Sequence, residues 1–94
     1  YHFSLLLNTL KNIIAVECYI RDNKDLYHQF YTKKEKIEEI IGVNLDWREL
    51  PDKKASRILI EKQVDLKNME KWRKQFEWMQ DMGIKFYDAF KSME

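Results

Sequence analysis

Seven residues in the last third of the chain recur at alternating steps of three and four: Met69, Trp72, Phe76, Met79, Gly83, Phe86 and Phe90. That spacing is one face of an α-helix. With Asp65 as its N-terminal cap, the pattern predicts a helix over about residues 66–93. From Trp78 onward the apolar arc widens, because Trp78, Met82, Ala89 and Met93 form a second row beside Met79, Phe86 and Phe90, and Ile84 and Tyr87 add to it. A helix apolar over so wide an arc needs two packing neighbours. At 1.5 Å per residue such a helix is about 42 Å long, whereas strands of six to eight residues span roughly 20–27 Å. The helix is therefore expected to overhang its sheet, with Trp78, Met82, Phe86 and Met93 as the expected interface.

The sheet is read from shorter patterns. Phe3 to Leu7 reads as a strand, and residues 8–12 as a turn. Ile13 to Arg21 alternates, with Ile14, Val16, Cys18 and Ile20 on one side and Ala15, Glu17 and Tyr19 on the other. The two strands should form a hairpin. Asp22 or Asn23 is positioned to cap a helix over about 24–41, whose inner side is Leu26, Phe30, Ile37, Ile40 and Ile41 and whose end is Gly42. Leu45 to Leu50 reads as a third strand, Pro51 to Lys54 as a turn, and Ser56 to Gln63 as a fourth strand. The order ββαββα predicts a single α+β domain over 1–94: an antiparallel sheet, two helices on one face, and a long C-terminal helix.

A chain of 94 residues lies near the lower limit of self-sufficient domains. Its net charge of +1 does not by itself imply nucleic acid. The distribution is uneven: residues 53–74 hold eight Lys or Arg against three acids, a local +5, which leaves −4 elsewhere. One cysteine, Cys18, excludes an internal disulfide and fits a reducing compartment, so the expected location is cytoplasmic. No apolar run is long enough to span a membrane. The opening Tyr1-His2-Phe3 lacks an initiator methionine, and the chain is expected to be a fragment of a longer protein.

Catalytic patterns are weak. His2 and His28 have no acid at a spacing that builds a triad or metal site. Cys18 falls on an apolar strand face and reads as core. No glycine-rich phosphate loop occurs. A restriction-type nuclease needs an acid and an acid-x-lysine on neighbouring strands to hold Mg²⁺. Asp52-Lys53-Lys54 imitates those letters in a turn and Asp22-Asn23-Lys24 at a helix start, while Glu17 has Tyr19 where the lysine belongs. No catalytic residue, metal or cofactor is therefore assigned. Lys53, Lys54, Arg57, Lys67, Lys71 and Lys74 are the candidate nucleic-acid contacts, with Trp78 four residues beyond Lys74. Lys34 and Glu38, one turn apart beside Tyr27 and Tyr31, are a candidate polar site or a surface ion pair.

Lys34, Ile37-Glu38, Gly42, Leu45-Asp46-Trp47, Leu50, Lys53-Lys54, Ser56-Arg57-Ile58, Asp65, Trp72, Trp78, Phe86 and Phe90, in that order, give a pattern over about residues 24–92. It resembles an uncharacterised bacterial domain family, domain of unknown function 4268. The resemblance implies a C-terminal module of larger proteins, many with an upstream restriction-endonuclease-like domain. It supplies no catalytic residues. The function expected is a non-catalytic interaction module that packs its last helix on the rest of the parent chain or on a second copy. The alternative is a DNA-binding accessory domain of a restriction-type nuclease.

Overall fold

The long-range architecture follows from the two central strands, which turn their even-numbered side chains toward the helices. The computed structural model describes residues 1–94. Four strands, β1 (His2–Asn8), β2 (Ile13–Arg21), β3 (Asp46–Arg48) and β4 (Ala55–Gln63), form one antiparallel sheet in the order β1-β2-β4-β3. β1 and β2 make the expected hairpin, with Leu5 opposite Val16 and Leu7 opposite Ile14. β2 pairs with β4 over nine residues, so Cys18 faces Ile58 and Val16 faces Ile60. β1 and β3 are the edges.

Three helices cover the face that carries Ile14, Val16, Cys18, Ile20 and Ile58: α1 (Lys24–Tyr31), α2 (Lys34–Ile41) and α3 (Trp72–Ser92). The single helix expected over 24–41 is broken in two. Asn23 caps α1 through a 3.0 Å bond from the Leu26 N–H. At its end the Thr32 hydroxyl donates back to the Gln29 carbonyl at 2.7 Å, a local bond that competes with helix continuation. Lys33 then turns away and its ammonium donates to the Met93 carbonyl at 2.7 Å, at the C-terminal end of α3. The break gives α1 to the sheet and α2 to α3. Ile40 is consequently exposed rather than part of the inner side. Gly42 stops α2 at φ +90°, a left-handed position that a side chain resists.

The last helix is shorter than its stripe. Asp65 accepts from the Lys67 N–H and Asn68 from the Glu70 N–H, each at 3.1 Å. These side-chain turns occupy the backbone that would have started a helix. A 3₁₀ turn, Met69–Lys71, follows, and α3 begins only at Trp72. Its 21 residues give about 31 Å, matched to the nine-residue β2 at about 30 Å. The expected overhang does not exist.

The second apolar row is used within the chain. Phe86, Ala89 and Phe90 have no exposed surface and Met82 has 6 %. Trp78 and Met93 are half-buried against the same core. Phe90 meets Phe30 edge-on at 5.0 Å and Phe86 at 5.7 Å between ring centroids. The expected interface residues Trp78, Met82, Phe86 and Met93 are thus core and core margin. α2, which the break in the first helix sets alongside α3, supplies a second neighbour for the helix, while the Trp78 ring lies under Lys62 at the end of β4.

A buried clamp fixes the corner between β3 and β4. Leu50 adopts φ +55°, a strained value for a branched side chain. The Lys24 ammonium donates to the carbonyls of Glu49, Leu50 (3.0 Å) and Ala55 (2.8 Å) and to the Ser56 hydroxyl (3.0 Å). The Ser56 hydroxyl itself donates to Glu49 at 2.9 Å. These bonds satisfy backbone groups that the corner would otherwise bury unpaired.

The two halves of the stripe should differ in energetic weight. Phe86→Ala should destabilise the chain by about 3–5 kcal/mol, and Phe76→Ala, at a site 46 % exposed, by less than about 1 kcal/mol. Urea denaturation measures both; equal losses would contradict this packing.

Candidate docking surface

Each of the sequence-derived sites has a definite place. Glu38 does not bridge to Lys34. Its carboxylate accepts from the Leu45 N–H at 2.6 Å and the Trp47 indole N–H at 3.2 Å, tying the end of α2 to β3. The Lys34 ammonium lies 5.6 Å from the centroid of the Tyr31 ring. Tyr27, Tyr31 and Trp47 pack on one another with centroids 5.6–6.3 Å apart and, with His28 and Glu49, line an open cleft of about 380 Å³. Beside them His28 Nε2 lies 3.1 Å from a Glu49 carboxylate oxygen. That pairing joins residues 21 positions apart, beyond the reach of any local sequence pattern.

The basic residues do not form one patch. Lys53 and Lys54 stand exposed in the turn before β4. Arg57 lies on the helix-free face of the sheet, where its guanidinium donates to the buried Glu17 at 2.6 Å. Next to it Arg48 bridges Asp46 at 2.7 Å and Glu61 at 3.1 Å, and the Asp46 hydrogen bond above all raises its pKa. Arg57 and Arg48 are therefore neutralised by their own sheet. Lys71 and Lys74 line a cleft of about 460 Å³ with Lys62, Asp65 and the buried Gln75. Lys62 also covers the Trp78 ring at 5.2 Å. Lys67 is exposed on the preceding turn and is not part of that lining.

No three His, Cys, Asp or Glu side chains converge in a metal-holding arrangement. Cys18 is fully buried and its thiol is pushed up to about 12, chiefly by desolvation. It stays protonated at neutral pH and is not a nucleophile. Tyr1 donates its hydroxyl to the Glu94 carboxylate, pinning the first residue to the last. Burial first, and then this bond, raise the Tyr1 pKa, while the same bond lowers that of Glu94. No helix is long and apolar enough to cross a membrane.

Tyr31, Ile40, Met69 and Ile84 are exposed singly, and the other exposed apolar residues gather where α3 meets the sheet edge. α3 sits over β1 and β2. Phe3 contacts Tyr87 at 5.9 Å and Phe90 at 6.0 Å. A Cβ built on Gly83 would meet the Leu5 side chain at 3.3 Å, so this glycine lets α3 lie close against β1. On the flank above that edge, Trp72, Phe76, Gln80, Gly83 and Tyr87 fall within roughly 80° of helix at 100° per residue, and none carries a charge. Trp72, Phe76 and Tyr87 are 39–54 % exposed, and on the strand below Leu5 is 53 % and Leu7 51 % exposed. Leu10, at the tip of the β1–β2 hairpin, is 95 % exposed.

The exposed apolar residues of α3 are Trp72, Phe76, Ile84 and Tyr87 rather than the expected Trp78, Met82, Phe86 and Met93, and the exposed Leu5 and Leu7 of β1 were not among the expected interface residues. A signal was available, because residues 1–10 contain no Lys, Arg, Asp or Glu. Edge strands normally carry such charges to block pairing with other chains.

Among curated proteins and among solved structures, none matches the chain. The sequence profile of one family matches residues 1–94, the whole chain. The chain belongs to that family, described as a domain of unknown function (DUF4268).

Proposed function

We propose that this domain is a non-catalytic docking module of a larger bacterial protein. The observation that carries the reading is the aromatic flank of α3, bounded at its C-terminal end by the Lys91 ammonium over the Tyr87 ring, lying directly above an unpaired, uncharged edge strand. Contiguous apolar surface of this kind marks interaction sites in soluble proteins. An edge strand adds main-chain donors and acceptors that a partner can pair. The family resemblance supports a place beside a nuclease-type domain in the parent chain, as company rather than as chemistry.

Hydroxyl-radical footprinting tests this reading. In the full-length parent, Trp72, Phe76, Leu5 and Leu7 should be labelled several-fold less than in the isolated 94-residue chain at low concentration. Equal labelling in both would overturn it.

A second reading rests on a different observation, the convergence of Lys62, Lys71 and Lys74 around one cleft at the start of α3. Three ammonium groups at one end could follow a phosphate backbone, with the Trp78 ring held under Lys62. In this reading the domain assists a nuclease in binding DNA. Binding to duplex and to single strands should then weaken with salt, with a log–log slope of roughly −2 to −3 for three contacts. Reversal of Lys62, Lys71 and Lys74 to Glu should abolish it. No binding at low salt counts against this second reading.

A further inference from the structure

We propose that the occupant of this flank is a second copy of the same chain, joined by antiparallel pairing of β1 with β1 into one continuous eight-stranded sheet. The inference rests on the docking reading above and adds the partner and the register.

The register is set by β1 itself. Its seven residues, His2–Asn8, are centred on Leu5. Full overlap of two antiparallel copies therefore places Leu5 opposite Leu5 of the partner subunit and Phe3 opposite Leu7 of the partner subunit. Directly opposite residues in a pair share a sheet face. Phe3, Leu5 and Leu7 lie opposite Cys18, Val16 and Ile14 on β2, hence on the helix side. The symmetric register brings these apolar rows together on that side. A shift by one residue would set them against Ser4 and Leu6 and place the helices of the two copies on opposite faces.

Nothing in β1 opposes the pairing. It has no Lys, Arg, Asp, Glu or Pro, the residues that commonly protect edges. The opposite edge, β3, is only three residues long and carries Asp46 and Arg48. The two edges of one sheet are thus built differently, and only β1 is long, uncharged and flanked by apolar helix surface.

The helices fit the same symmetry. Strands pair about 4.8 Å apart, so the two-fold axis stands about 2.4 Å outside β1. With α3 lying over β1 and β2, the two copies of α3 come to an axis separation of about 10 Å, a normal packing distance for helices. Trp72, Phe76 and Tyr87 of each copy then face the other. The strip is about 24 Å long at 3.4 Å per residue and as deep as the 18 Å thickness of the molecule. That footprint, about 430 Å² per copy and roughly 860 Å² in all, lies in the range of weak, reversible contacts, with main-chain bonds supplementing the apolar burial.

Sedimentation equilibrium on the 94-residue chain, whose core closes within itself, tests the proposal. At roughly 100 μM, where a micromolar Kd fills the complex, the chain should sediment as a dimer. Leu5→Lys, which sets two ammonium groups against each other on the axis, should return it to monomer with its circular dichroism unchanged. Oxidation provides a register test that does not depend on tolerance of a charge. Leu5→Cys should cross-link, since opposite residues have Cβ atoms about 4.5–5.5 Å apart, while Leu7→Cys should cross-link at least several-fold more slowly. A monomer at that concentration overturns the proposal, and so does a dimer that survives Leu5→Lys and fails to cross-link through Leu5→Cys. If the isolated chain is monomeric while the footprint still protects the flank in the parent, the second copy is wrong and the docking reading stands.

Discussion

The fold depends on the seating of α3's C-terminal half against the sheet and the first two helices. Phe86 and Phe90 are fully buried, and Phe90 is in ring contact with Phe3, Phe30, Trp47 and Phe86. Those partners come from β1, α1, β3 and α3 itself, so one side chain joins four elements. Each buried aromatic removes about 150–250 Å² from water, a large share of what a chain of this size can bury. Gly83 makes the seating possible on the β1 side, and the break at Thr32–Lys33 makes it possible on the α2 side.

Once that seating is fixed, the remaining surface is determined. A helix that packs on a sheet below and a helix beside it has one lateral flank left over. Here that flank overlooks β1, the edge of the sheet, and its residues are aromatic or small and uncharged. The helix-free face of the sheet is different in kind. It carries the Arg57–Glu17 and Arg48–Glu61 pairs, whose arginine stems lie with Leu59 and Ala15 along a cleft of about 390 Å³. One exposed side carries its own ion pairs and offers no unpaired main-chain edge, while the other is largely apolar with open main-chain groups, which is why docking is assigned to the flank and not to the sheet face.

Much of this was legible in the residues. The hairpin, the bounds Ile13–Arg21 of β2, the stop at Gly42, the turn at Pro51 and the α+β class all follow from period-two alternation and from Gly and Pro. The errors have physical causes. The 24–41 periodicity continues through Thr32 and Lys33, so the break, set by a hydroxyl-to-carbonyl bond and a tertiary lysine contact, left no trace in the pattern. The 3-4 stripe began three residues before the α-helix does, because Asp65 and Asn68 form turns with their own backbone instead of capping one long helix. Most instructive is the second apolar row: an excess of apolar surface was legible, but whether a helix from the same chain or another molecule covers it depends on topology. Glu38 likewise looked like half of an ion pair with Lys34, and only the fold brings Leu45 and Trp47 to it.

Amide hydrogen exchange along β1 tests most directly whether its edge, together with the α3 flank, is a surface made to be covered. The amides of β1 that point away from β2 should exchange rapidly in dilute solution and become protected as the chain is concentrated, while those bonded to β2 stay protected throughout. Exchange of the outward amides that is fast and identical at every concentration would contradict the account.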